Sequence, residues 1–183
     1  MDMQTFSEQQ LVDCAGGDFL NGGCNGGWYY WAYQYLRHNL LESEADYAYT
    51  AKDGECKYDE SKGLVGVSAY NLVTDLGTGG ERTAIAAALT VNPSNVAVAA
   101  GNDYFRTYES GVLASTQCPT VIDHAILAVG YGKSDEGDWY YIVKNSWGTG
   151  WGEDGYIRIL ATPDGAGICG VNQYVIYPEV FKP

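Results

Sequence analysis

The segment from Val121 to Ile159 constrains the fold most: VIDHAILAVGYG, a short linker, then WYYIVKNSWGTGWGEDGYIRI. It holds one of the chain's two histidines and three of its five tryptophans. Ala125 to Val129 is a short apolar run closed by Gly130 and Gly132, which predicts a buried strand. Trp139 to Val143 predicts a second strand, and Tyr156 to Leu160 a third with alternating side chains. Between the last two, Lys144 to Gly152 carries glycine at nearly every second place, so it should fold as a tight loop. His124 opens one strand and Asn145 closes another, which lets both project from one edge of a sheet. An imidazole held by an amide, with tryptophan beside it, has the parts of an orienting pair for nucleophilic catalysis.

Each part has a plainer reading when taken singly. A histidine at a strand start is more often a structural hydrogen-bonding residue. An asparagine there is usually a turn residue, and Trp147 and Trp151 would be core. In combination, DHAILAVGYG followed 21 positions later by the asparagine of KNSWGTGWGEDGY resembles the papain family of cysteine peptidases, in its cathepsin L-like form. The resemblance implies an α+β, two-lobe fold. Residues 1–72 would be a mostly helical first lobe, incomplete and without its central helix. Residues 73–183 would be an antiparallel, β-barrel-like lobe carrying the active-site His and Asn.

Composition bounds the function classes. A chain of 183 residues with 46% hydrophobic content can bury a substantial core, as one domain or two small lobes. A net charge of −13 argues against nucleic acid and anionic membranes as partners. No apolar run approaches the ~20 residues needed to span a bilayer. The opening MDMQTFSEQQ has no basic start and no apolar stretch, so it does not read as a signal peptide. Five cysteines suggest disulfides of an oxidising compartment with one left over.

Along the chain, Ser7-Glu8-Gln9-Gln10 predicts a capping box, with Ser7 as N-cap and Gln10 reaching back, ahead of a short helix through Val12. Trp28 to His38 predicts a second helix with Trp28, Trp31, Ala32, Tyr35 and Leu36 on its buried face. Between them lies a Gly/Asn/Asp-rich loop containing Cys24. FSEQQLVDC and GGCNGGW match further papain-family blocks. In that family the second glycine of the pair Gly26-Gly27 binds extended substrate backbone, which a Cβ would obstruct. ADYAYTAKDGEC resembles another block, with Ala48 where proline is common. Leu64 to Tyr70 should be a strand, Leu72 to Gly80 a lobe boundary, Glu81 to Leu89 a helix, and Val96 to Ala100 a buried strand. Tyr104 to Val112 resembles the family's F-x-x-Y-x-x-G block. GICGVNQYVIYP matches the C-terminal block without a gap, so an intact C-terminus is expected.

The resemblance pairs Cys14 with Cys56 and Cys118 with Cys169, leaving Cys24 unpaired. It makes His124 the acid/base and Asn145 its orienting partner, with Trp147 shielding their hydrogen bond. Gly26, Gly27 and the backbone at Asp123 would align substrate. Trp28, Tyr29, Ala125 and Tyr174 would line an apolar pocket for the second residue before the cut. The nucleophile block Q-G-x-C-G-S-C-W does not occur. The nucleophile of this family precedes the His and Asn by roughly 130–150 residues, a position before Met1. Cys24 lies in the substrate loop, and Cys14 lies late in a helix, where the dipole disfavours a thiolate. Neither fits the role.

The expectation is therefore a papain-like cysteine endopeptidase present as a fragment without its nucleophile or oxyanion glutamine, and inactive by itself. The alternative is a catalytically silent relative that binds peptides or a protease. No cofactor and no metal is implied, because two histidines without paired-cysteine spacing make a poor metal site. The expected partners are peptide or protein substrates. The chain should be a monomer, prone to aggregation through an uncovered apolar face. A lysosomal, vacuolar or secreted setting follows from the family.

Overall fold

The computed structural model describes residues 4–74 and 79–183. Part of the expected lobe boundary from Leu72 to Gly80, residues 75–78, lies outside the described residues. The chain forms two compact units: Met1–Tyr70 with Pro178–Pro183, and Asn71–Tyr177.

The first unit is built around buried amides as much as around apolar side chains. Helix α1 (Glu8–Cys14) starts where Ser7 Oγ accepts the Gln10 N–H at 2.9 Å. The other half of the capping box does not form. The Gln10 side chain turns inward instead, where its Oε1 accepts from Glu42 N at 2.8 Å. Its Nε2 donates to Leu40 O (2.9 Å) and Tyr35 Oη (3.0 Å). Ser7 N–H, which Gln10 would have capped, goes to Glu42 O. Gln9 is also buried: Oε1 accepts from Thr50 N, and Nε2 donates to Asp13 Oδ1 and Lys52 O. Each glutamine has its acceptor and both donors occupied, which offsets the cost of burying an amide.

Helix α2 (Tyr29–Leu36) buries Tyr33, Tyr35 and Leu36, whereas Trp31 and Ala32 are only half-buried. Tyr33 is inside because its ring stacks on Tyr70 of strand β1 (Gly66–Leu72), centroids 6.2 Å apart. Cys14 and Cys56 are joined, tying the end of α1 to the loop before β1.

The second unit is a sheet with an aliphatic core. Its elements are α3 (Glu81–Leu89), β2 (Ser94–Val98), α4 (Asp103–Arg106), β3 (Val112–Leu113), β4 (His124–Lys133), β5 (Trp139–Lys144), β6 (Tyr156–Leu160) and the start of β7 (Ile176–Phe181). The strand order in this unit is β7-β2-β4-β5-β6-β3. All pairings are antiparallel except β3 with β6. Alternation sends Tyr141 and Val143 of β5, and Ile157 and Ile159 of β6, into the core with Val96, Val98 and Ile126. A bulge between Ala128 and Gly130 shifts the β4 register. Cys118 and Cys169 form the second disulfide.

Candidate active site

His124 is the first residue of β4, opposite Val98 of β2. The preceding residue fixes its position. Asp123 N–H donates to Val98 O at 3.0 Å, and its two carboxylate oxygens accept from Ala100 N (2.6 Å) and Gly101 N (3.0 Å). Asp123 thus clamps the start of β4 to the segment following β2.

Asn145 follows the last residue of β5, and its N–H donates to Gly155 O at 2.9 Å. It is buried, and its Oδ1 lies 2.9 Å from His124 Nε2. The same oxygen accepts the Ser146 N–H at 2.8 Å. That second donor decides the amide's orientation, because a flipped amide would set NH2 against N–H. With oxygen facing the ring, Nε2 must carry the proton. Nδ1 is then the ring nitrogen left for proton transfer.

Trp147 lies against the imidazole face, with centroids 5.2 Å apart and planes at 28°. It meets Phe105 edge-on at 5.5 Å and Trp151 edge-on at 5.3 Å, while Phe105 and Trp151 stack at 5.1 Å. The Gly/Trp loop that carries this cluster is locked at its base. Gly152 has φ +57°, and a Cβ there would sit 2.5 Å from Tyr156 O. Glu153 takes Arg158 Nε at 2.8 Å and a second guanidinium nitrogen at 2.5 Å, and accepts Gly111 N–H at 2.9 Å. The Arg158 hydrogen bond holds the Glu153 carboxyl below the ordinary carboxylate range.

A cavity of about 330 Å3 opens beside the ring, lined by Ala100, Gly101, Arg106, Asp123, His124 and Trp147. Of the residues singled out from the sequence, the second unit brings Asp123, His124, Asn145 and Trp147 together. Ala125 is exposed, one position into β4, and Tyr174 is half-buried with φ +50°.

Gly26, Gly27, Trp28 and Tyr29 belong to the first unit. Gly26 has φ +102° with nothing near its absent Cβ, so its backbone conformation requires glycine. At Gly27 a Cβ would lie 2.2 Å from Asn21 Oδ1, which accepts the Trp28 N–H. An internal hydrogen bond therefore excludes a side chain there, a reason the residue pattern did not reveal. Cys24 is exposed and free, and its N–H donates to Asp53. Desolvation by the loop, then the hydrogen bond to and charge of Asp53, with Asp13 behind it, push the thiol above its ordinary value.

Sequence reasoning passed over Phe105, Arg106 and the clamping role of the Asp123 carboxylate. Phe105 was within reach, since it lies in the Tyr104–Val112 block. The Asp123 contacts depend on which segment follows β2, and no local pattern states that.

Comparison with known proteins agrees with this geometry. The profile of the "Papain family cysteine protease" family matches residues 1–179. A cathepsin L-like proteinase of Fasciola hepatica is 44% identical over 179 residues, covering 97% of this chain and 52% of that protein. Digestive cysteine proteinase 1 of Homarus americanus is 39% identical over 178 residues, covering 96% and 53%. The chain spans about half the length of the curated relatives it matches. Among solved structures, the bromelain protease of Ananas comosus in complex with the E64 inhibitor superposes with TM-score 0.83 at 37% identity, covering 97% of this chain and 79% of that one. Digestive procathepsin L 3 of Tenebrio molitor gives TM-score 0.86 at 34% identity, covering 97% and 56%. With the paired His124 and Asn145, the aromatic loop and the α+β fold in agreement, this chain belongs to the papain family of cysteine peptidases.

Proposed function

We propose that this chain supplies the acid–base half of a cysteine endopeptidase, acting with a thiol from outside these 183 residues. The observation supporting this reading most directly is the doubly accepting Asn145 Oδ1, which fixes the His124 ring and leaves Nδ1 free. In the proposed reaction, His124 Nδ1 takes the proton of the thiol, and the thiolate adds to a peptide carbonyl carbon. The tetrahedral adduct collapses as the imidazolium gives that proton to the leaving amine nitrogen. Water then attacks the thioester, with His124 as base, and the thiol is released with the acid product. Trp147 against the ring excludes water and strengthens the His124–Asn145 hydrogen bond.

The chain's own cysteines do not fit the nucleophile. Four are joined in disulfides, and Cys24 sits among carboxylates that disfavour a thiolate. On this reading the Asp123 backbone of the second unit aligns the substrate beside His124, and Gly26 and Gly27 of the first unit are a backbone-binding pair in their own right. Ala125 and Tyr174 of the second unit receive an apolar side chain two residues before the cut, and Trp28 and Tyr29 of the first unit offer an apolar contact surface of their own. The disulfides suit a lysosomal, vacuolar or secreted setting.

The same cysteine chemistry favours a second reading, in which the protein binds peptides without cutting them. Hydrolysis of a fluorogenic peptide with an apolar residue at that position separates the two. The complete gene product should cleave it, and His124→Ala should abolish cleavage while leaving the fold intact. Peptide binding without cleavage by the complete product would establish the second reading and remove the first.

A further inference from the structure

The wall of the His124 cavity carries two fixed charges, and they are treated differently. Asp123 has both carboxylate oxygens engaged by backbone N–H groups. Arg106, also on the wall, has a guanidinium that makes no ion pair and no hydrogen bond among the described residues.

The backbone of Arg106 is nevertheless held firmly. Asn102 caps α4 by accepting the Phe105 N–H, and the Phe105 ring is fully buried against Trp147 and Trp151. Trp151 Nε1–H donates to Arg106 O at 3.1 Å. A cation whose main chain is fixed and whose head group is uncommitted, beside a ring that protonates a leaving group, is placed to read that group's charge.

We infer that Arg106 sets specificity on the leaving-group side of the cut, favouring a first departing residue with a carboxylate side chain. The inference rests on the peptidase reading above, since protonation of a departing amine by His124 is what brings that residue against this wall. Two charges bear on the outcome besides Arg106. The Asp123 carboxylate opposes an acidic ligand, but its two N–H donors already face it at hydrogen-bond distance. The imidazolium formed during the reaction adds a second positive charge in favour of one. A planar guanidinium also pairs with carboxylate through two parallel hydrogen bonds, which an amide side chain cannot match.

Binding to the 183-residue chain tests this without any nucleophile. Three dipeptide amides, Asp-Ala, Asn-Ala and Lys-Ala, are titrated at low ionic strength while the NMR signals of His124 and Trp147 are followed. Asp-Ala should bind about three- to fivefold more tightly than Asn-Ala, the range of an exposed charge pair, and Lys-Ala should bind most weakly. Arg106→Gln should level the first two, and Arg106→Glu should make Lys-Ala the best ligand. Equal binding of Asp-Ala and Asn-Ala, a preference that survives Arg106→Gln, or no binding by any of the three would overturn the assignment. Cleavage by the complete gene product is read separately. Failure to cut removes the peptidase reading, whereas cutting with no carboxylate preference removes only the role of Arg106.

Discussion

Asn145 is fixed at its main chain before its side chain does anything: the N–H is held by Gly155 O, and Oδ1 then meets Ser146 N–H and the imidazole. Asn145→Ala keeps the first contact and deletes the other two, so the fold should survive while the ring is freed. On the proposed peptidase reading, kcat should fall about 10–100-fold with KM little changed, as expected when a reacting group is merely mispositioned. A rise in KM at constant kcat would show that Asn145 serves binding instead. Glu153 gives a residue-scale prediction of another kind. Its carboxyl is held low by Arg158, so its stabilisation is fully present above the ordinary carboxylate range. That stabilisation is lost as pH falls through the depressed folded value. For this partly exposed pair Glu153→Gln should cost about 1 kcal/mol at neutral pH. In urea titrations, the gap between parent and variant should close under acid conditions, below about pH 4. A gap independent of pH would mean that the loop does not depend on this charge.

At the scale of elements, β5 shows what a strand reads from its sequence and what it hides. The run WYYIV announced a strand, but being apolar throughout it did not say that Tyr141 and Val143 would take the inner face. The pattern could not show that the Tyr141 hydroxyl ends buried with no hydrogen-bond partner among the described residues. Burial pushes this phenol well above its ordinary range. Tyr141→Phe removes an unsatisfied polar atom, so the melting temperature should stay level or rise, by no more than about 1 kcal/mol in stability. A clear loss would reveal a partner for that hydroxyl. Helix α3 was legible from its alanine content, and strand β6 from its alternation. Gln9 and Gln10 were not: glutamine in a first helical turn normally faces water, and here all partners of their side chains but Asp13 lie 25 or more positions away in the chain. The His124–Asn145 pair was legible because two strand ends and a glycine-rich loop mark it locally. The Asp123 clamp was hidden because its donors sit on another strand's exit.

On the scale of the whole molecule, the two units have unlike interiors. The second buries a dense set of aliphatic side chains, among them Ile85, Val96, Ile126, Val143, Ile157 and Ile159. The first buries Ser7, Gln9, Gln10, Glu42 and Ser43 beside a few tyrosines, so more of its cohesion rests on hydrogen bonds and on Cys14–Cys56. A disulfide contributes ~2–4 kcal/mol, a larger share where the apolar core is smaller. Hydrogen exchange with and without reductant should therefore show amides of residues 5–70 losing more protection than those of the second unit. Equal losses would mean that Cys118–Cys169 matters as much to its own unit. Residues 178–183 return to the first unit, a grouping that IYPEVF does not announce, because its neighbour β1 lies over a hundred residues earlier. The β4–β5 hairpin has a last consequence. Its ladder closes at Lys133 and Trp139, while His124 and Asn145 stand at the opposite, open end. The 21 positions between them measure only the length of the excursion to the turn and back. Residues inserted at the turn, around Ser134 to Asp138, would lengthen that excursion and leave the imidazole and its amide facing each other. The interval that reveals the pair to a reader of sequences is thus one the chemistry itself never consults.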